Sequence, residues 1–247
     1  MIRFLFLNSF IFFHTIIFCL FALMLSLFDR KGSNIHRYCA APWARVILWV
    51  CGIKVFPEGL ENVDAQTPCV YMTNHQSYFD IFALLACLPV DFKFILKQEL
   101  MRIPLFGLAM RKAGYIGIAR KDPRKAVQSM NRAAERIRNG DSLVIFPEGT
   151  RSPDGRLQRF KRGGFDLALK SGCDIVPVTI DGSYLIVPKG SLKINQGSFG
   201  IQVGRPISIK PYNRKSITRL MDQVRDTMLI QMQESRSAEK SSYKEKI

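Results

Sequence analysis

Beyond residue 53, short apolar runs alternate with helical patterns, and that alternation predicts an α/β domain built on a mixed, largely parallel sheet flanked by helices. Two further observations complete the expectation. The 247 residues, 47% of them hydrophobic, suffice for one well-buried core. Residues 4–28 contain no Asp, Glu, Lys or Arg, which adds an N-terminal membrane-associating helical segment.

That uncharged run is long enough to cross a hydrocarbon core of roughly 30 Å as a helix, with Asn8, Ser9, His14, Thr15 and Ser26 interrupting it. A cleavable leader would have a shorter apolar core and a small-residue processing site. Leu25-Ser26-Leu27-Phe28-Asp29 does not offer one, so the run reads as an uncleaved anchor. Arg30, Lys31 and Arg37 follow it while Arg3 precedes it, a bias that places the domain beyond residue 53 on the cytoplasmic side of the inner membrane. Residues 38–53 carry Trp43, Arg45 and Trp49 among apolar neighbours; they suit either an interfacial helix paired with the first or an ordinary core helix.

Strands follow at residues 69–73, 92–96, 115–118, 142–146, 174–180 and 199–203. A helix fits 124–138, with Pro123 at its start and Asn139-Gly140 closing it, and a shorter one fits 163–170, ended by Ser171-Gly172. Gly204-Arg205-Pro206 breaks the last strand. Ile217, Leu220, Met221, Val224, Met228 and Met232 recur at helical spacing and predict a C-terminal amphipathic helix against the core. Residues 235–247 are polar, unpatterned and expected to be disordered. The chain thus divides into anchoring helices at 1–53, an α/β domain at 54–234 and a tail at 235–247.

A formal charge of +16 favours anionic partners: a phospholipid leaflet, an acidic acyl carrier or nucleotide-bearing thioester, or nucleic acid. The hydrophobic content exceeds that of a basic nucleic-acid module and the N-terminal run points to lipid, so membrane lipid is the expected partner and nucleic acid is not. Six cysteines are scattered without CxxC or metal-type spacing and read as reduced, buried small apolar residues. Neither a metal nor an organic cofactor is implied.

The chemistry concentrates in two stretches. Asn74-His75-Gln76-Ser77-Tyr78-Phe79-Asp80 pairs a proton acceptor with a carboxylate five residues on, at a predicted strand-to-helix junction. Later a buried strand runs into Pro147-Glu148-Gly149-Thr150-Arg151-Ser152, which supplies what a phosphate needs: a guanidinium, hydroxyls and a glycine that lets backbone N–H groups approach. A base and a phosphate cradle at strand ends suggest acyl or phosphoryl chemistry on a phosphorylated alcohol.

These stretches resemble the NHxxxxD and FPEGTR motifs of the glycerolipid acyltransferases. Gly114-Tyr115-Ile116-Gly117-Ile118-Ala119-Arg120 resembles a third motif, usually written GxxFIxR, with Gly117 and Ala119 standing where bulkier or polar residues are common. Val176-Pro177-Val178-Thr179-Ile180 resembles the last, apolar one. The likeness covers roughly residues 54 to 210 and is nearest the bacterial members that act on 1-acyl-glycerol-3-phosphate. It implies transfer of a fatty acyl group from an acyl-CoA or acyl carrier protein thioester to the free hydroxyl of that acceptor, giving phosphatidate. Rival expectations are another lyso-lipid acceptor, or a non-catalytic basic protein that binds membranes or nucleic acid.

On this reading His75 is the general base, and Asp80 holds its other ring nitrogen, as in hydrolase triads but with the acceptor hydroxyl as nucleophile. Arg151 binds the acceptor phosphate, Arg120 is a second cation, Thr150 donates a hydroxyl and Gly149 opens the backbone. Glu148 is expected to orient an arginine or a glycerol hydroxyl. Backbone N–H groups near Asn74-His75 or in the loop 148–150 are candidate oxyanion donors. Plainer roles compete: Asp80 also fits a helix cap, and Arg120, with Lys121, Arg124 and Lys125, fits a solvated or headgroup-facing patch.

Overall fold

The structure, a computed structural model, describes residues 1–29 and 31–244, so Arg30, one charge in the orientation argument, lies outside the described residues. The chain opens with helix α1 (Ile2–Leu25) and continues through α2 (Ser33–Ile35), a wide π-helical turn (His36–Ala40) and α3 (Ala41–Cys51). Strands β1 (Ile53–Glu58), β2 (Val70–Thr73) and β3 (Phe92–Lys97) follow, with α4 (Phe79–Cys87) between the last two. Then come α5 (Phe106–Lys112), β4 (Ile116–Ile118), α6 (Pro123–Arg138), β5 (Ser142–Ile145) and α7 (Gly163–Ser171). Strand β6 (Ile175–Asp181), the short α8 (Ser183–Ile186), β7 (Gly197–Val203) and α9 (Ile217–Lys244) complete the fold.

The strands form one seven-stranded sheet in the order β1-β7-β6-β2-β5-β3-β4, parallel at every pairing except β6 with β7. Every residue of β2 and β5 is buried, as a parallel sheet covered on both faces requires. Alternation divides their side chains. Val70, Met72, Leu143 and Ile145 pack with Ala133, Ile137, Phe165, Leu220 and Val224 on the face covered by α6, α7 and α9. Tyr71, Val144, Val176 and Val178 pack with Ile47, Phe79 and Leu84 on the other face, under α3 and α4. Helix α6 starts where the sequence says it should: Asp122 accepts the N–H of Lys125 at 3.1 Å, and Pro123 occupies the first helical position.

Three expectations change. Residues 1–53 form part of the catalytic domain's own fold. Leu7, Cys19, Ala22, Cys39 and Ile47 belong to the same core as the sheet, the turn after α1 is held by Asp29 accepting from the N–H groups of Gly32 (2.8 Å) and Ile35 (2.9 Å), and the fully buried Lys93 of β3 donates to Gly32 O at 3.1 Å and Asp91 at 2.8 Å. The tail is helical as far as Lys244, because residues 235–244 contain neither Gly nor Pro and continue α9 without a break; 245–247 lie outside the described residues. Strand β1 goes unannounced because Pro57 argues against a strand. As an edge strand pairing only with β7, β1 tolerates the missing N–H.

Leu220 is fully buried where α9 meets the sheet. Leu220→Ala should therefore cost about 2–5 kcal/mol, lowering the melting temperature by about 2–4 °C for each kcal/mol. A thermal melt followed by circular dichroism checks this.

Candidate active site

Strands β5, β2 and β6 lie side by side and run parallel, so their C-terminal ends, where ligands bind in such sheets, meet at one edge. Met72 stands opposite Ile145. The same register carried past the strand ends sets His75 opposite Glu148. The backbone N–H of His75 donates to Glu148 Oε1 at 2.8 Å, and that of Ser152 donates to His75 O at 2.7 Å, stitching the two motif loops together. On the opposite flank Asn74 clamps β6: its Nδ2 donates to Ile180 O and its Oδ1 accepts from Ile180 N–H, both at 2.7 Å.

His75 Nδ1 lies 2.8 Å from Asp80 Oδ2. Asp80, in the first turn of α4, has no solvent exposure. Its Oδ2 also accepts the N–H groups of Gln76 (2.6 Å) and Ser77 (2.9 Å), and its Oδ1 accepts the hydroxyl of Ser183. A carboxylate so supplied is an acceptor only; Nδ1 must carry the proton, and Nε2 is the ring's free acceptor. The imidazole stacks on Phe146 with centroids 4.0 Å apart. The two readings of Asp80 thus merge, because one carboxylate organises the loop ahead of α4 and aims His75. Ser183 carries no motif signature; the only sequence hint is a Gly-Ser pair directly after the buried strand 175–181.

Arg151 sits over the Tyr78 ring, its guanidinium carbon 3.7 Å from the centroid, and its buried Nη1 has no hydrogen-bond partner among the described residues. Arg120 is exposed and donates to Gly149 O, so the third motif and the FPEGTR-like loop meet at one rim. Gly149 needs its glycine. At φ +72° it adopts a left-handed conformation, and a Cβ there would stand 3.0 Å from the Lys161 side chain.

Glu148 departs from its expected role. It is buried, and its two oxygens accept the N–H groups of His75 (2.8 Å) and Gln158 (3.0 Å), so it braces the two loops. Burial pushes its carboxyl up to about 7, against the two N–H bonds that pull it down. The oxyanion candidates narrow as well, since His75 N–H is committed to Glu148 and Gly149 N–H to Phe146 O at 3.0 Å.

His75, Arg120, Gly149, Thr150 and Arg151 open onto one cavity of about 540 Å³. Its walls are largely apolar: Phe18, Cys19 and Ala22 from α1, Trp43 from α3, Phe94 from β3, Met110 from α5, and Tyr115 just ahead of β4. A base and cations at the mouth of an apolar chamber suit an amphiphile with a phosphate head.

A family model described as Acyltransferase matches residues 54–181, which include all four motifs and stop short of Ser183. The chain belongs to the Acyltransferase family. Over 183 residues it is 42% identical to the 1-acyl-sn-glycerol-3-phosphate acyltransferase BAT2, chloroplastic, of Brassica napus, covering 73% of this chain and 53% of that protein. LPAT1, chloroplastic, of Arabidopsis thaliana, of the same description, is also 42% identical over 73% of this chain and 51% of its own length. The chain therefore spans about half the length of these plant relatives. The crystal structure of the 1-acyl-sn-glycerophosphate acyltransferase PlsC from Thermotoga maritima superposes with a TM-score of 0.81 at 27% identity, covering 95% of this chain and 97% of that one. The family's helix-flanked, mostly parallel sheet is thus shared from end to end.

Because its folded-state value is raised, Glu148 holds a proton in the folded protein that the unfolded chain gives up between its ordinary range and about 7. Its stabilising share is present below that window and is lost as pH rises through it. Glu148→Gln cannot titrate there, so its stability relative to the parent should rise between about pH 5 and about pH 8. Melting both proteins across that range checks the sign.

Proposed function

We propose that the chain transfers a fatty acyl group from a thioester, carried by CoA or by an acyl carrier protein, to the free hydroxyl of 1-acyl-glycerol-3-phosphate, forming phosphatidate. The carrying observation is that His75, with Nε2 free to accept, and Arg151, whose Nη1 has no hydrogen-bond partner among the described residues, line the same largely apolar cavity. The descriptions of the plant and bacterial relatives support the same acceptor.

In this reaction Nε2 removes the hydroxyl proton as the oxygen adds to the thioester carbonyl. Asp80 steadies the imidazolium, the C–S bond breaks, and His75 returns the proton to the departing thiolate. The phosphate pairs with Arg151, whose orientation Tyr78 fixes, and Arg120 adds charge at the rim. The acyl chain occupies the apolar chamber.

The anchor is proposed to lie in the plane of the membrane. Helix α1 has the length and hydropathy of a membrane span, yet the domain holds it from end to end. Near its start Arg3 donates to Ile194 O at 3.0 Å and Asn8 to Leu192 O at 3.3 Å. At its middle Trp43 donates to Thr15 at 3.2 Å, and at its end Asp29 fixes the turn. The opposite face exposes Phe6, Phe13, Ile17, Leu20 and Met24 at helical spacing, and Trp49 is 80% exposed nearby. A helix perpendicular to the bilayer could not keep those polar contacts at both ends. We therefore infer a monotopic protein on the cytoplasmic leaflet, with the cavity open toward lipid.

His75→Ala should lower kcat by about 10²- to 10⁴-fold with the fold intact. Near-normal turnover by protein shown to be folded would remove the mechanism. Arg151→Ala should raise the acceptor KM about ten- to a hundredfold, since a charge-assisted bond is worth about 1.5–3 kcal/mol, and should leave the thioester KM nearly unchanged. The reverse pattern would assign this loop to the donor. For the anchor, a protease site placed before Met1 should be cut from the cytoplasmic side of sealed vesicles; protection there would mean that α1 crosses the bilayer.

A further inference from the structure

We propose that Ser183 is a positioning residue for the His75–Asp80 pair, its hydroxyl pinning the far oxygen of the Asp80 carboxylate and thereby the plane in which the near oxygen meets the imidazole. This rests on the acyl-transfer reading above and adds to it a residue outside every motif.

The three donors on Oδ2 come from His75, Gln76 and Ser77, neighbours in one loop. Rotation about the Cβ–Cγ bond of an aspartate meets only a broad, shallow barrier, so a carboxylate held at one oxygen can swing. The second hold comes from 103 residues further along the chain. Ser183 is fully buried at the C-terminal end of β6. Gly182, at φ +96°, turns the chain so that the serine points back toward β2, and the Asn74–Ile180 clamp fixes β6 beside the loop it serves. A serine hydroxyl has one proton to give. Gln76 Oε1, at 3.4 Å, is the poorer acceptor, so the proton goes to the carboxylate.

Ser183 does not line the cavity, so it acts through Asp80 without touching substrate. When His75 becomes an imidazolium, the carboxylate must already lie in the ring plane, since reorienting it at that moment would add to the barrier. Loss of the hydroxyl should therefore reduce turnover and leave binding alone.

Ser183→Ala, assayed as full-length protein in detergent with acyl-CoA and 1-acyl-glycerol-3-phosphate, should lower kcat about ten- to a hundredfold, with both KM values within about twofold. In an Asp80→Ala background the same change should cost less than about twofold, because its route to the imidazole is gone. The low-field proton resonance of His75 Nδ1–H should shift upfield or broaden in Ser183→Ala. If the alanine variant fails to fold, Ser183→Cys keeps nearly the same volume with a much weaker donor and reads the same three quantities. Turnover within about twofold of the parent while His75→Ala is inactive would overturn the role of Ser183 and leave the acyl-transfer reading standing. Losses that multiply in the Asp80→Ala background would equally overturn it, while an active His75→Ala variant would overturn the reading beneath.

Discussion

A carboxylate with no access to water must find every partner within the protein, and Asp80 finds its partners in the loop after β2 and at the end of β6. Much of the site follows from that requirement. The loop before α4 folds around the charge, α4 begins where it ends, and the histidine ring is delivered in one orientation. Glu148 performs the corresponding task on the β5 side, tying backbone to backbone across the sheet edge. One buried acid aims a side chain and the other holds a loop, and their hydrogen bonds tell them apart: Asp80 meets the His75 ring, whereas Glu148 accepts the peptide N–H groups of His75 and Gln158.

The second organising fact is that the apolar wall of the chamber is borrowed. Residues of α1 and α3 close a space that the sheet and α5 leave open. Helix α1 exposes Phe6, Phe13, Ile17, Leu20 and Met24 on one side and lines the cavity with Phe18, Cys19 and Ala22 on the other. Under the proposed function, a lysolipid would pass from leaflet to site beside α1, with its head group at the rim where Arg120 and Arg151 lie. The exposed cations around that rim suit an anionic surface, and their charge acts over roughly a Debye length of 8 Å at physiological salt.

Much of this was legible in the sequence because the informative residues sit at strand ends, where apolar runs stop abruptly. The run 142–145 ending at Pro147-Glu148-Gly149 reveals both the strand and the loop it feeds, and residues 74–80 likewise reveal the turn into α4. Ser183 escaped because its meaning lies in register: nothing nearby in the sequence says that β6 lies beside β2. Glu148 was read for its charge when its burial decides its role, and burial follows from the pairing of β2 with β5. Helix α5 and strand β1 were missed for local reasons, a short pattern in one and Pro57 in the other. The tail misled in the opposite sense, since a polar composition without helix breakers can still extend an existing helix.

The contact between Arg3 and Ile194 joins residues 191 positions apart. During synthesis the first helix emerges long before the segment that receives it. At about 5–20 residues per second the gap amounts to roughly 10–40 s, during which the start of the helix lacks the Leu192 and Ile194 carbonyls that later receive Asn8 and Arg3. A ribosome working in open cytosol would leave that apolar helix to aggregate or to be bound by chaperones; one working beside a bilayer would let lipid cover it until residues 192–194 are made. Its long sequence separation thus links where the protein is made to whether it folds.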